Sequence, residues 1–201
     1  MKQKSRTEYS VMNTTVAFLA QTLAIFMGFF TRVVFTRTLS EGYVGINGLF
    51  TDILNILSLS ELGVGTAITY ALYAPIARRD IKKQQILMRM FRNFYRITAG
   101  FVVLAGLCLI PFLDILMKDR PDVNHLIIIY LLYLLNSVVS YLLIYKKTLV
   151  DAHQMNYITV MYHNGFLVLQ DILQIIVLFL TRNFILFLVI AVVCTIIGNI
   201  C

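Results

Sequence analysis

Residues 125–145 read HLIIIYLLYLLNSVVSYLLIY, a run of 21 residues without Asp, Glu, Lys or Arg. About 20 mostly apolar residues suffice for a helix to cross the hydrocarbon core of a bilayer, so this run predicts a membrane span. The whole chain agrees, because 59% of its 201 residues are hydrophobic, 13% are charged and the mean hydropathy is +0.81. Soluble domains carry about 45–50% apolar and about 25% charged residues, and disordered chains are poorer still in apolar residues, so both classes are excluded.

Five further segments meet the same criterion of length and apolar composition. The predicted spans are approximately 14–36, 44–73, 97–117, 125–145, 158–180 and 184–200. The predicted fold is therefore all-α, a single integral membrane bundle of six helices. The three cysteines, Cys108, Cys194 and Cys201, lie in apolar stretches and predict neither disulfides nor a metal site.

The positive charges fall mainly on one side of this predicted topology. Of the 17 Lys and Arg residues, 12 precede span one or lie in the loops between spans two and three and between spans four and five. Basic loops stay in the cytoplasm, so both termini are expected there, in a multi-pass protein of the cytoplasmic membrane. The net charge of +7 is thus explained by orientation in the membrane, and no nucleic-acid partner is expected.

The segment 75–96 combines an apolar and a basic face. Apolar residues recur at helical spacing, at Ile86, Leu87, Met90, Phe91 and Phe94. Arg89, Arg92 and Arg96 fall together on another face. This pattern predicts a basic amphipathic helix on the cytoplasmic leaflet that runs into span three. It serves either as a membrane anchor or in recognition of an anionic lipid headgroup.

Polar residues inside the spans are the candidate functional positions, because ionisable groups in a bilayer rarely face lipid. Spans one, two, four and five each carry a polar face, which predicts a shared cavity. The expected lining residues are Gln21, Arg32, Asp52, Glu61, Asn136, Ser140, Asp171 and Gln174.

The charged members of this set allow more than one role. Arg32 either faces the cavity or extends to the outer headgroups, and Asp52 is close enough in depth to neutralise it. Glu61 and Asp171 lie at similar depths, where two carboxylates would attract a cation. No nucleotide-binding, metalloprotease or serine-hydrolase motif occurs, so we expect neither an enzyme nor a cofactor.

Several motifs around span two resemble those of a transporter family. They are the Arg late in span one, Gly45-Ile-Asn-Gly-Leu-Phe50, Ser58-Leu-Ser-Glu-Leu-Gly-Val-Gly65 and Leu72-Tyr-Ala-Pro75, with Tyr145-Lys-Lys-Thr148 and Asn156-Tyr157 further on. In this order they resemble the N-terminal part of Wzx-type polysaccharide flippases, of the multidrug/oligosaccharidyl-lipid/polysaccharide exporter superfamily.

The resemblance implies flipping of undecaprenyl-pyrophosphate-linked oligosaccharide to the outer leaflet. Binding of this substrate would then involve Arg32, Gln21, Asn136, Ser140 and Gln174. Glu61, Asp171 and Asp52 would couple transport to a cation or to protons. The expected partners are the lipid-linked oligosaccharide and membrane lipids.

Family members have about twelve to fourteen spans in two lobes, whereas six are predicted here. We therefore expect a single N-terminal lobe, from a truncated gene product or a partial sequence, that works with a second lobe or another copy of itself. Two alternatives remain open: an antiporter of drugs or small solutes from the same superfamily, and a membrane scaffold that transports nothing.

Overall fold

The computed structural model of the chain describes residues 6–58, 64–117, 123 and 125–200. Every regular element in these ranges is helical, which confirms the all-α prediction. The helices are α1 (Arg6–Thr38), α2 (Glu41–Ser58), α3 (Val64–Ala77), α4 (Ile81–Leu109), α5 (Leu113–Leu116), α6 (Leu126–Ala152), α7 (Asn156–Thr181) and α8 (Phe184–Ile200), with a 3-10 turn over Ile110–Phe112.

Within the described ranges, four helical stretches are long and apolar enough to cross a membrane. They are Val11–Thr38, Ile81–Phe112, Leu126–Ala152 and Asn156–Thr181, of 28, 32, 27 and 26 residues. The chain is therefore a membrane-embedded protein. Two further apolar helices, Val64–Ala77 and Phe184–Asn199, are shorter. The predicted second span over 44–73 includes residues of α2, all of α3 up to Tyr73 and residues 59–63, which lie outside the described residues.

The helices are arranged around α6. This helix packs extensively against α4 and α8 and also contacts α2, α3 and α7. By contrast, α1 packs along α7 and touches its neighbour in sequence, α2, far less. As a result α1 and α2 diverge from their shared turn near Leu39 and Ser40, and a large part of the α1 surface is exposed.

The buried side chains form two clusters along the bundle. One contains Phe35 of α1, Phe50 of α2 and Tyr130 of α6. The other joins α3, α4 and α6 through Leu72, Phe91 and Tyr141. Aromatic edge-to-face contacts tie each cluster together, including Phe50 to Tyr130 with ring centroids 5.1 Å apart and Phe91 to Tyr95 at 4.8 Å.

The turn between α3 and α4 sets the direction of the basic segment. Arg79 has a φ of 54°, a left-handed conformation that ends α3, and the carboxylate of Asp80 then caps α4 by accepting from the backbone N of Lys83 at 3.0 Å. From there α4 is one continuous helix, so the predicted amphipathic segment and the third predicted span share an axis. Phe91, on its apolar side, is fully buried in the bundle and does not face the membrane.

Asn13 clamps the start of α1 to the turn between α6 and α7. Its Nδ2 donates to the backbone O of Gln154 at 3.1 Å, and its Oδ1 accepts from the backbone N of Tyr157 at 2.8 Å. The second bond satisfies one of the free N–H groups at the start of α7. The side chain thereby fixes α1, the helix that carries Gln21 and Arg32, to α7.

Candidate functional site

The contact between α1 and α7 contains a polar pair at Thr31 and Asp171. Thr31 Oγ1 lies 3.0 Å from Asp171 Oδ1 and 3.1 Å from the backbone O of Met27. Thr31 is buried in the interface and Asp171 is half-buried. A carboxylate among apolar helices is stabilised by such a donor, so Thr31 holds Asp171 at a defined position against α1.

Arg32 is exposed on α1. The Tyr133 hydroxyl of α6 donates a hydrogen bond to Asn47 Oδ1 of α2, and the positive charge of Arg32 lies within electrostatic range of that hydroxyl. Three helices therefore contribute to one group of side chains, which we call the Arg32 cluster: Arg32, Tyr133 and Asn47.

The aromatic core holds the Tyr133 ring in place. Its centroid lies 5.8 Å from that of Phe50 and 6.4 Å from that of Phe184. The ring contacts and the bond to Asn47 therefore fix the Tyr133 hydroxyl between α2 and α6. An exposed guanidinium presents a planar fork of N–H donors that suits phosphate and carboxylate oxygens. The Arg32 cluster is thus equipped to bind an anion.

The other predicted residues of α6 and α7 are used partly within the bundle. Gln174 is buried, and its Nε2 donates to the backbone O of Phe187 in α8 at 3.0 Å. Ser140 donates to the backbone O of Ser137 in its own helix at 2.6 Å. The Oδ1 of Asn136, one turn from Tyr133, is shielded from solvent and accepts no hydrogen bond within the described part of the chain. Asn136 therefore has a free acceptor, while Gln174 joins α7 to α8.

The remaining three predicted residues lie apart from these contacts. Gln21 is exposed on α1, on the same face as Arg32 and three turns earlier. Asp52 is exposed on α2, and among the described residues it forms no ion pair with Arg32. Glu61 lies outside the described residues. Asp171 is hydrogen-bonded to Thr31, which directly precedes Arg32 on α1. Gln21, Asp52 and Gln174 do not take part in these contacts.

Sequence reasoning did not select three residues that organise this site. Tyr133 and Asn47 belong to the polar stripes of their helices, yet neither was among the predicted binding residues. Thr31 was missed because a threonine in an apolar helix usually bonds its own backbone, as Thr31 also does with Met27. The signal available in the sequence was that Thr31 directly precedes Arg32.

A cavity of about 280 Å³ lies at a different place, where α7 ends and α8 begins. It is lined by Tyr43, His125, Thr181, Arg182, Asn183, Phe184 and Ile185, and by none of the predicted site residues. Asn183 is occupied with capping α8, since its Oδ1 accepts from the backbone N of Ile185 at 2.9 Å. Nowhere in the described ranges do three or more His, Cys, Asp or Glu side chains gather as metal ligands would.

Comparisons with protein-family models, with curated proteins and with solved structures find no match to this chain. Its function therefore has to be argued from the arrangement of its own residues.

Proposed function

We propose that the chain is one lobe of a flippase that moves undecaprenyl-pyrophosphate-linked oligosaccharide from the inner to the outer leaflet of the cytoplasmic membrane. The observation that carries this proposal is the exposed Arg32 within an apolar helix. The resemblance of the span-two motifs to Wzx-type flippases supports the same substrate class.

The depth of Arg32 favours an anion-binding role. It lies six residues before the end of α1 at Thr38, or about 9 Å along the helix axis. A charged group at that depth is costly in lipid and normally faces a bundle interior or a water-filled cavity. A pyrophosphate that links a sugar to a lipid carries negative charge through the same region, and the guanidinium offers it two parallel hydrogen bonds.

Exposed polar side chains on α1 and α2 support a role for a second lobe. Gln21 and Arg32 share one face of α1, and Asp52 is exposed on α2. Polar side chains are unfavourable against lipid, so these positions are expected to border a polar cavity completed by another lobe or by a second copy. The excess of basic residues in three segments supports a topology with both termini in the cytoplasm.

Asp52 favours a second candidate function, an antiporter of cationic drugs or small solutes. An exposed carboxylate within the membrane would attract a cation as Arg32 attracts an anion. The two functions predict different phenotypes for a strain in which the gene for this chain is deleted.

Deletion of the gene separates these candidates. For the flippase, lipid-linked oligosaccharide should accumulate on the inner leaflet, so that a membrane-impermeant sugar label added to spheroplasts reaches much less of it than in the parent strain. A plasmid copy should restore labelling. For the antiporter, labelling should be unchanged and resistance to cationic drugs should fall. Equal labelling in deletion and parent strains would contradict the flippase, and no change in either measurement would favour a scaffold.

Within the proposed transport cycle, Asp171 is the described carboxylate best placed to couple transport to a cation. Replacing it with Asn keeps an oxygen that accepts from Thr31 Oγ1 but removes the charge. We expect Asp171→Asn to retain wild-type abundance and to lose transport in the impermeant-label assay, because an amide cannot bind or release a proton or balance a cation.

Thr31→Val is the matched control for this prediction. It removes the donor while leaving the Asp171 charge, and should lower stability by about 0.6 kcal/mol, the average for a hydrogen bond between membrane helices, with transport retained. If Asp171→Asn transports as well as the unmodified chain, Asp171 serves to hold α1 against α7 and the coupling role is wrong.

A further inference from the structure

The N-terminal half of α4 carries three arginines that the transport proposal does not use. We propose that Arg89, Arg92 and Arg96 form a binding site for the phosphate of an anionic membrane lipid, separate from the Arg32 cluster. The inference stands on the placement of these side chains in α4 and is independent of what the chain transports.

The three arginines share one face of the helix. At 100° per residue, positions 89, 92 and 96 fall within about 60° of the helix circumference and about 10 Å of its length. The headgroup phosphate of one lipid can therefore be reached from more than one of them. Arg89 and Arg96 are exposed, so their guanidinium groups are accessible to a ligand.

Arg92 differs from its two neighbours because it is partly buried. It follows the fully buried Phe91 in sequence, and its Nε is shielded from solvent without a hydrogen-bond acceptor in the described structure. A shielded donor without an acceptor is energetically unfavourable. An oxygen of a bound phosphate would supply the missing acceptor through a small movement of the guanidinium, which makes Arg92 the centre of the proposed site.

The length of α4 places the arginines near the headgroups. The apolar helical stretch Ile81–Phe112 has 32 residues, about 48 Å at 1.5 Å per residue, against about 30 Å of hydrocarbon. The surplus of about 18 Å corresponds to about 12 residues. Because the basic residues are all in the N-terminal half, this half projects from the hydrocarbon and the arginines lie at its boundary.

An apolar stripe beside the arginines favours a lipid over a soluble anion. Ile97 and Leu104 are 73% and 67% exposed, and Met90 and Phe101 are also exposed. These residues lie about 60–120° around the helix from Arg89, on the side away from Arg92. Acyl chains packed along this stripe would bring the attached phosphate to Arg89 and Arg96, from which its oxygens reach Arg92 across the basic face.

Native mass spectrometry of the purified full chain in a neutral detergent can test the site. Phosphatidylglycerol is titrated in one arm and phosphatidylcholine, whose phosphate is offset by its choline cation, in a second. We expect tighter retention of phosphatidylglycerol by the unmodified chain. Arg92→Gln should weaken its apparent affinity more than tenfold. Arg92→Lys keeps the charge but lacks the Nε donor, and should also weaken binding.

Arg78→Gln provides the matched control, since Arg78 is exposed just after α3 and the substitution removes the same charge. General attraction between basic residues and anionic lipid is worth about fivefold in affinity per residue. Equal losses in Arg92→Gln and Arg78→Gln, with Arg92→Lys unchanged, would mean that only this general attraction operates and would overturn the site. As a control for folding, the thermal unfolding midpoint of each variant should match that of the unmodified chain within a few degrees. A folded Arg92→Lys protein that binds phosphatidylglycerol with unchanged affinity would by itself contradict the proposal.

A third arm adds inorganic phosphate as a competitor. For a lipid site, millimolar phosphate should leave most of the phosphatidylglycerol bound, because the apolar stripe contributes to retention. Complete displacement by free phosphate would overturn the lipid assignment and identify a site for a soluble phosphate.

Discussion

Replacing Arg32 with alanine should reduce delivery of lipid-linked oligosaccharide to the outer leaflet by roughly 10- to 100-fold, the loss expected for hydrogen bonds to a charged group. The guanidinium is exposed on α1, and alanine leaves no donor for the pyrophosphate. Arg32→Lys should recover part of the activity, because it restores the charge without the planar fork. The measurement is impermeant sugar labelling in the deletion strain, with membrane abundance determined for each variant.

Arg37→Ala is the control for this substitution. Arg37 is exposed on the same helix, in its last turn, and is expected to contact the outer headgroups. Its replacement should leave delivery close to that of the unmodified chain. If Arg32→Ala and Arg37→Ala both deliver substrate normally at equal abundance, Arg32 also extends to the headgroups and has no part in substrate binding.

Replacing Gly106 with valine should cause the largest loss of stability. A Cβ at this position would lie 2.5 Å from Cδ1 and 3.0 Å from Cδ2 of Leu134, which is only 4% exposed. The same contact contains the buried hydrogen bond from the Tyr130 hydroxyl to the backbone O of Gly106, 2.7 Å long. Overpacking typically costs about 1–3 kcal/mol, and separation of α4 from α6 would weaken the hydrogen bond as well. The thermal unfolding midpoint in detergent measures the effect.

Gly100→Val provides the control in the same helix. A Cβ at Gly100 meets nothing within 4 Å, so this substitution should change the midpoint little. Combining the smaller change Gly106→Ala with Leu134→Ala should cost less than the two single losses added together, because the second substitution removes the clashing atoms. If Gly100→Val is as destabilising as Gly106→Val, the cause is the valine itself and not the contact between α4 and α6.

Hydropathy located the apolar helices but not their ends. Predicted span one covered 14–36, whereas α1 runs from Arg6 to Thr38, and α6 continues seven residues past the predicted limit at Tyr145, through Lys146 and Lys147. A span ends where side chains become polar, but a helix ends where its backbone hydrogen bonds stop, so the two limits differ.

The candidate site was predictable one helix at a time. Arg32 and Asp171 stand out in the sequence because charged residues are rare within apolar helices. Their surroundings were not predictable, since Thr31 and Asp171 are 140 positions apart and Asn47 and Tyr133 are 86 apart. Helical faces show which side of each helix is polar, but not which helix lies opposite.

The sequence by itself determined the class of this protein. An apolar content of 59% and runs such as 125–145 leave a membrane bundle of helices, because so much apolar surface is stable only against lipid or other helices. The tertiary structure decided the pairing of α1 with α7 and the position of α6 at the centre. It also decided the close approach of Gly106 to Leu134. Apolar helices are nearly equivalent in lipid, so their neighbours are selected by close packing and by a few polar contacts, and both depend on residues far apart in the chain.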